Sequence, residues 1–167
     1  FSSSSAADFV MVFFTDARTS VHNIVGAPGD GWKVAMGTLA FERGVLTLGQ
    51  QMAFERELNE ILEVARHNGS VDNPVVRQRL TGLWIRLRIM RSNAIRTLSL
   101  ASAQLGREAM IGKLYWANLH QEMGELAMDV LGAEAMIIAD RYDAHEPLDA
   151  LHRLFMFTRS DTIYGGS

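Results

Sequence analysis

An all-α, up-down four-helix bundle is the fold that this 167-residue sequence predicts, and three observations predict it. Apolar residues recur every three or four positions through three long stretches, the spacing that lines one face of an α-helix. Short breaks at "HNGS" and at Gly132 separate helical stretches, and long helices with short connections pack antiparallel. Hydrophobic residues make up 48% of a chain with only three prolines, which fits one helical domain with a sizeable core.

The elements follow in order. Phe9–Phe14 is aromatic and β-branched, short, and closed by Thr15-Asp16, so it predicts a strand. A loop rich in glycine and proline, "NIVGAPGDGW", comes next. Asp30 is placed to cap a first helix from near Trp32 to about His67, with Leu58, Ile61, Leu62 and Ala65 on its apolar face. Asn68 or Gly69 suits the left-handed position that ends it. Asn73 and Pro74 open a second helix as cap and first residue. Val76, Leu80, Leu83, Leu87, Met90, Ala94, Leu98 and Ala101 carry its stripe toward Gly106. A third helix is expected from Glu108 to Leu131, stopped by Gly132, and a fourth, shorter one from Pro147 to about Asp161. Ser2–Ser5 is low in complexity and is expected to be disordered.

A net charge of −3 gives no global reason to bind nucleic acid or an anionic membrane. The absence of cysteine excludes disulfides and thiolate metal sites and fits a reducing, cytoplasmic setting, or the mitochondrial matrix in a eukaryote. The run Phe9–Phe14 is too short to span a membrane or to form a signal-peptide core. No Glu-x-x-His pair of the kind used by di-metal bundles is present, and no metal is expected. Glu63 with His67, and His120 with Glu122, read as solvated surface partners.

The second helix carries Arg77, Arg79, Arg86, Arg88, Arg91 and Arg96. Glu55, Glu57, Glu60 and Glu63 on the first helix, and Glu108, Glu122, Glu125 and Asp129 on the third, can answer them. Ion pairs between helices are therefore expected in place of a nucleic-acid face. Met90, Met110 and Met123 fall at core spacing, and Trp32, Trp84 and Trp116 read as packing or interface residues.

The stretch "GTLAFERG", residues 37–44, is harder to account for. Each glycine inside a helix costs roughly 1 kcal/mol relative to alanine, yet Gly37, Gly44 and Gly49 surround Glu42-Arg43. Missing side chains let another backbone, a flat ring or a substrate come close. A carboxylate desolvated beside a bound ligand can serve as a base. An exposed helical ion pair explains Glu42 and Arg43 equally well on spacing alone.

At these residues the sequence resembles the C-terminal portion of an acyl-CoA dehydrogenase. "VFFTDARTSVHNIVGAPGDGWKVAMGTLAFERG" resembles the family's passage from the end of its β domain into the first bundle helix, and "NPVVRQRLTGLWIRLR" its second helix. "DVLGAEAM" stands where the family has a Gly-Gly turn, and "RSDTIYGGS" resembles the stretch ending in Tyr-x-Gly-Thr/Ser. The resemblance implies residues 1–29 as the end of a middle β domain and linker, and 30–167 as a helical bundle that stops before its last helix. It also implies that the N-terminal helical domain and most of the β domain are missing from this piece, so the piece alone is expected to be inactive.

By the same resemblance the activity is FAD-dependent α,β-dehydrogenation of an acyl-CoA, with electron-transfer flavoprotein as acceptor and a homo- or hetero-oligomer built through the bundle. Many members place the base after the tyrosine of Tyr-x-Gly, which here is Gly165, a residue with no side chain to accept a proton. A minority carries it in the first bundle helix before an arginine, where this chain has Glu42 and Arg43. The resemblance thus implies Glu42 as base, Arg43 as its ordering partner near substrate, Tyr164 on the substrate side, and the Gly165 N–H as a thioester-oxygen donor. It implies Arg66, Gly132 and Ser167 as flavin contacts. The family's usual Arg-x-x-Phe-Gly is absent around Arg66, Ala133 replaces the second turn glycine, and Asp129 replaces a glutamine. Readings on the same fold are an acyl-CoA oxidase or flavin monooxygenase, or a non-catalytic partner subunit of a heteromeric dehydrogenase.

Overall fold

Among the described residues, four α-helices build the fold: α1 (Gly31–His67), α2 (Pro74–Ser99), α3 (Arg107–Leu131) and α4 (Ala150–Thr158). The computed structural model describes residues 11–99, 107–137 and 150–163, and within them the side chains of 40–48, 97–98 and 107–110 lie outside the description. The expected end of α2 near Gly106, the Pro147 start of α4 and the Ser2–Ser5 segment fall outside it as well.

Local chemistry explains the breaks. Gly69 follows α1 at φ +79°, a conformation that glycine adopts without a Cβ penalty, while Asn68 stays right-handed. Asn73 Oδ1 accepts the Val75 N–H at 2.9 Å, so the side chain caps α2 with Pro74 at the first helical position. Asp30 stands before α1, but its backbone (φ −80°, ψ 3°) is not the extended form that a capping side chain needs. Its Oδ2 accepts the Ala27 N–H at 3.2 Å instead and tightens the preceding loop.

Cross-helix partners establish an up-down-up-down order. Arg79 meets Asp129 and Arg86 meets Glu122, so α2 and α3 run antiparallel. Glu57 meets His120 and Asn68 meets the Val130 carbonyl, so α1 and α3 run parallel. His152 on α4 meets the Ala135 carbonyl, and Lys113 the carbonyl of Asp161, which turns α4 back along α3. These pairs, with Arg88 and Arg91 on Glu55, realise the expected interhelical ion pairing of the second-helix arginines.

The apolar stripes meet in one core. Leu58, Ile61 and Ala65 from α1 pack with Val76, Leu80, Leu83, Leu87 and Met90 from α2. Leu119, Met123 and Leu126 from α3, and Leu151 and Leu154 from α4, complete it. Burying side chains such as Ile61 and Leu126 contributes about 1.5–3 kcal/mol each. Trp116 joins this core, whereas Trp32 is 76% exposed and Trp84 lies under the Arg88 guanidinium. Met110, Leu98 and Ala101 fall outside the described side chains.

The expected strand is not formed by residues 11–14, which are exposed, and no strand occurs among the described residues. A strand needs a ladder partner, and none of the described segments pairs with this one. Phe9 and Val10 lie outside the description. No helix among the described residues is long and apolar enough to cross a membrane.

Where α3 meets α4, the close approach depends on Gly124. A Cβ there would stand 2.6 Å from Thr158 Oγ1 and 3.1 Å from Phe155 Cα, and Thr158 is fully buried. Gly124→Ala is expected to cost about 1–3 kcal/mol by overpacking. Faster amide exchange in α4, with α2 unchanged, checks it.

Candidate functional site

Glu42 and Arg43 lie on α1, a continuous 37-residue helix, and their side chains are outside the described residues. Tyr164, Gly165 and Ser167 also lie outside them, a few positions beyond the 3-10 turn Ser160–Thr162. Gly37 and Gly49 face open space: among the described residues, nothing beyond the adjoining turns of their own helix comes within 4 Å of where a Cβ would stand. The close approach suspected at these glycines is therefore not made by the described part of this chain. Among the described glycines, the one that admits a neighbouring helix is Gly124.

Two of the three cofactor candidates are brought together. The Asn68 side chain donates to the Val130 carbonyl at 2.8 Å and ties the C-terminal end of α1 to that of α3. Arg66 and Gly132 each lie two residues from this tie, at one end of the bundle. Gly132 turns the chain at φ +61°, and exposed Arg66 donates to Glu63 at 2.7 Å. Asp129, awkward beside a pyrophosphate on charge alone, is met by Arg79. The Arg66 guanidinium, exposed though paired with Glu63, and the turn at Gly132 are the groups at this end that an anion such as the pyrophosphate of FAD could meet. Arg66 stands roughly 36 Å along α1 from Glu42, at 1.5 Å per residue. These two ends of one chain cannot both face the same flavin ring.

Between the two ends lies a cluster that sequence reading did not place. His120 on α3 is 3% exposed and is sandwiched between two carboxylates. Its Nδ1–H donates to Asp161 Oδ2 at 2.6 Å and its Nε2–H to Glu57 Oε2 at 2.8 Å. The ring stacks on Phe54, with centroids 3.9 Å apart, and Phe157 meets it edge-on. Lys113 donates to the Asp161 carbonyl and lies over the Trp116 ring. Burial pulls the Lys113 pKa below its ordinary value against the opposing charge of Asp161.

Both ring nitrogens face carboxylate oxygens, the arrangement in which a doubly protonated ring donates on both sides. Burial alone would lower the His120 pKa, but the hydrogen bonds to Asp161 and Glu57, and then their charges, outweigh it and raise the pKa above 6.5. A raised folded-state pKa contributes stability that is complete below the unfolded value and is lost as pH rises through the folded one. The bundle is therefore expected to lose stability as pH climbs above about 6.5. Denaturation measured across that range should show the loss in the wild type and a flatter profile in His120→Gln.

The expectation of a solvated His120–Glu122 pair is corrected by this geometry. Glu122 turns out to Arg86, while His120 falls four residues after Trp116 and three before Met123, on the buried stripe of α3. That helical spacing was the available signal. Asp161, 41 positions away, left none.

Comparison with known proteins agrees with this architecture. The signature described as "Acyl-CoA dehydrogenase, C-terminal domain" matches residues 29–167, and the chain belongs to the acyl-CoA dehydrogenase family. It is 50% identical over 161 residues to the acyl-CoA dehydrogenase IpdE1 of Mycobacterium tuberculosis. It is 47% identical over 161 residues to the IpdE1 of Mycolicibacterium smegmatis. Each match covers 96% of this chain but only 40% and 39% of the relative's own length. A solved variant of the Tcur3481-Tcur3483 steroid ACAD shares the fold, with a TM-score of 0.72 at 23% identity. That match covers 92% of this chain and 40% of that one.

Proposed function

We propose that this chain is the helical bundle of an FAD-dependent acyl-CoA dehydrogenase in which Glu42 takes the α-proton of the acyl thioester. The observation that carries the reading is the coincidence of two residues within a chain of this family. The position after Tyr164 is Gly165, which has no side chain to act as base, and α1 carries Glu42 immediately before Arg43.

Glu42 breaks the α C–H bond by accepting the proton on a carboxylate oxygen. Desolvation beside bound thioester raises the basicity of that oxygen. The proton is acidic enough only if the thioester oxygen is polarised, and the Gly165 backbone N–H, which no side-chain change removes, is the donor assigned to it. Arg43 orders the base, and Tyr164 lies on the substrate side. When bound, FAD supplies the acceptor for the β-hydride, and the Cα–Cβ double bond forms. Arg66, Gly132 and Ser167 are the flavin contacts. Standing about 36 Å along α1 from Glu42, Arg66 and Gly132 are proposed to serve a flavin seated in a neighbouring subunit of an oligomer. Electron-transfer flavoprotein is the expected oxidant of the reduced enzyme.

Anaerobic mixing of the FAD-loaded full-length enzyme with straight-chain, branched and steroid-bearing acyl-CoAs tests the reading. Bleaching of the flavin by at least one thioester is the expected result. Bleaching by none of them contradicts the dehydrogenase reading and leaves the partner-subunit reading in its place.

A further inference from the structure

We infer that Glu57, His120 and Asp161 form a positioning clamp, which holds the segment leading to Tyr164–Ser167 in register with the helix that carries Glu42. The inference rests on the functional reading above for what the two ends do, and on geometry for the clamp itself. His120 is one rigid ring that joins three elements by two charge-assisted hydrogen bonds, 2.6 Å to Asp161 and 2.8 Å to Glu57. Asp161 is fully buried, in the turn Ser160–Thr162, three residues before Tyr164 and four before Gly165. Glu57 lies on the same unbroken helix as Glu42, about four turns and roughly 22 Å further on.

The reading separates positioning from packing. A core contact for this site needs only an apolar side chain, and the neighbouring stripe positions are Trp116 and Met123. A buried imidazolium with two buried or half-buried carboxylates is costly to desolvate and is not the cheapest way to fill space. What it adds is direction: each bond fixes an atom on one element against an atom on another. Lys113 adds a third hold, on the Asp161 carbonyl, from α3. The charged groups facing His120 are thus Glu57 from α1 and Asp161 from the turn, with Lys113 of its own helix held on the Asp161 carbonyl. An oxyanion donor displaced by about 1 Å can lose some 10²-fold in rate, so a clamp four residues from Gly165 is placed to matter.

The test compares wild type, His120→Gln and the milder Glu57→Gln in the FAD-loaded full-length enzyme, by amide hydrogen exchange and by turnover. Exchange at residues 160–167 is expected to accelerate roughly 10- to 100-fold, as loss of one charge-assisted hydrogen bond allows, with α2 amides unchanged. Turnover is expected to fall with KM near wild type. Combining the two substitutions should add little, because they break one unit. Wild-type exchange at 160–167 in both variants overturns the clamp. Faster exchange with unchanged kcat overturns its positioning role. Because exchange is read without catalysis, failure of the Glu42 assignment is recognised separately, by retained turnover in Glu42→Gln.

Discussion

Replacing Glu42 with glutamine should lower the turnover of acyl-CoA by about 10²- to 10⁴-fold, the usual contribution of a positioned general base. Glutamine keeps the length and planarity of the side chain, and its helix propensity is close to that of glutamate. Helix α1, which continues well past this position to His67, should therefore persist, and flavin should remain bound. What is lost is the ability to accept a proton. Rapid anaerobic mixing with acyl-CoA, following the flavin absorbance, checks this. Near-wild-type rates in the variant would remove Glu42 from the mechanism.

Asp161→Ala should destabilise the bundle by about 3–5 kcal/mol, the cost of breaking a buried ion pair by deleting one partner. The carboxylate is fully buried and accepts from His120 Nδ1 at 2.6 Å. Its loss leaves a ring that is 3% exposed with a buried N–H pointing at empty space. The ring can shed its proton, but it then gives up its second charged bond, to Glu57, in strength. By contrast, Arg79→Ala breaks a pair that is exposed on both sides and should cost under about 1 kcal/mol. Chemical denaturation of the two variants side by side gives the comparison. Equal losses would mean that the buried triad carries no more than a surface bridge.

Much of the architecture was legible because periodicity is a local property. Every described member of the stripe from Val76 to Ala94 is buried, and Asn73, Gly69 and Gly132 do what their chemistry requires. The expected strand at Phe9–Phe14 was read from composition, and composition cannot supply a pairing partner. The three glycines around Glu42-Arg43 drew attention to the first helix. The packing glycine is instead Gly124, whose role depends on Thr158, a residue distant in sequence. The clamp was illegible for the same reason. Pairing His120 with Glu122 ignored that residues two apart point to different sides of a helix. Its true partners, 63 positions upstream and 41 downstream, meet it only once the bundle has closed. The candidate base and the oxyanion position came from resemblance to a family to which the chain belongs.

The central claim, that Glu42 is the base, is tested most directly by isolating proton removal from hydride transfer. A thioester with sulfur in place of its β-carbon has no hydride to give, yet keeps an acidic α-hydrogen. Incubated in heavy water with the FAD-loaded full-length enzyme, it should take up deuterium at the α-carbon with the wild type and at no more than the uncatalysed rate with Glu42→Gln. Undiminished deuterium uptake in the variant would contradict the account and place the base on another residue.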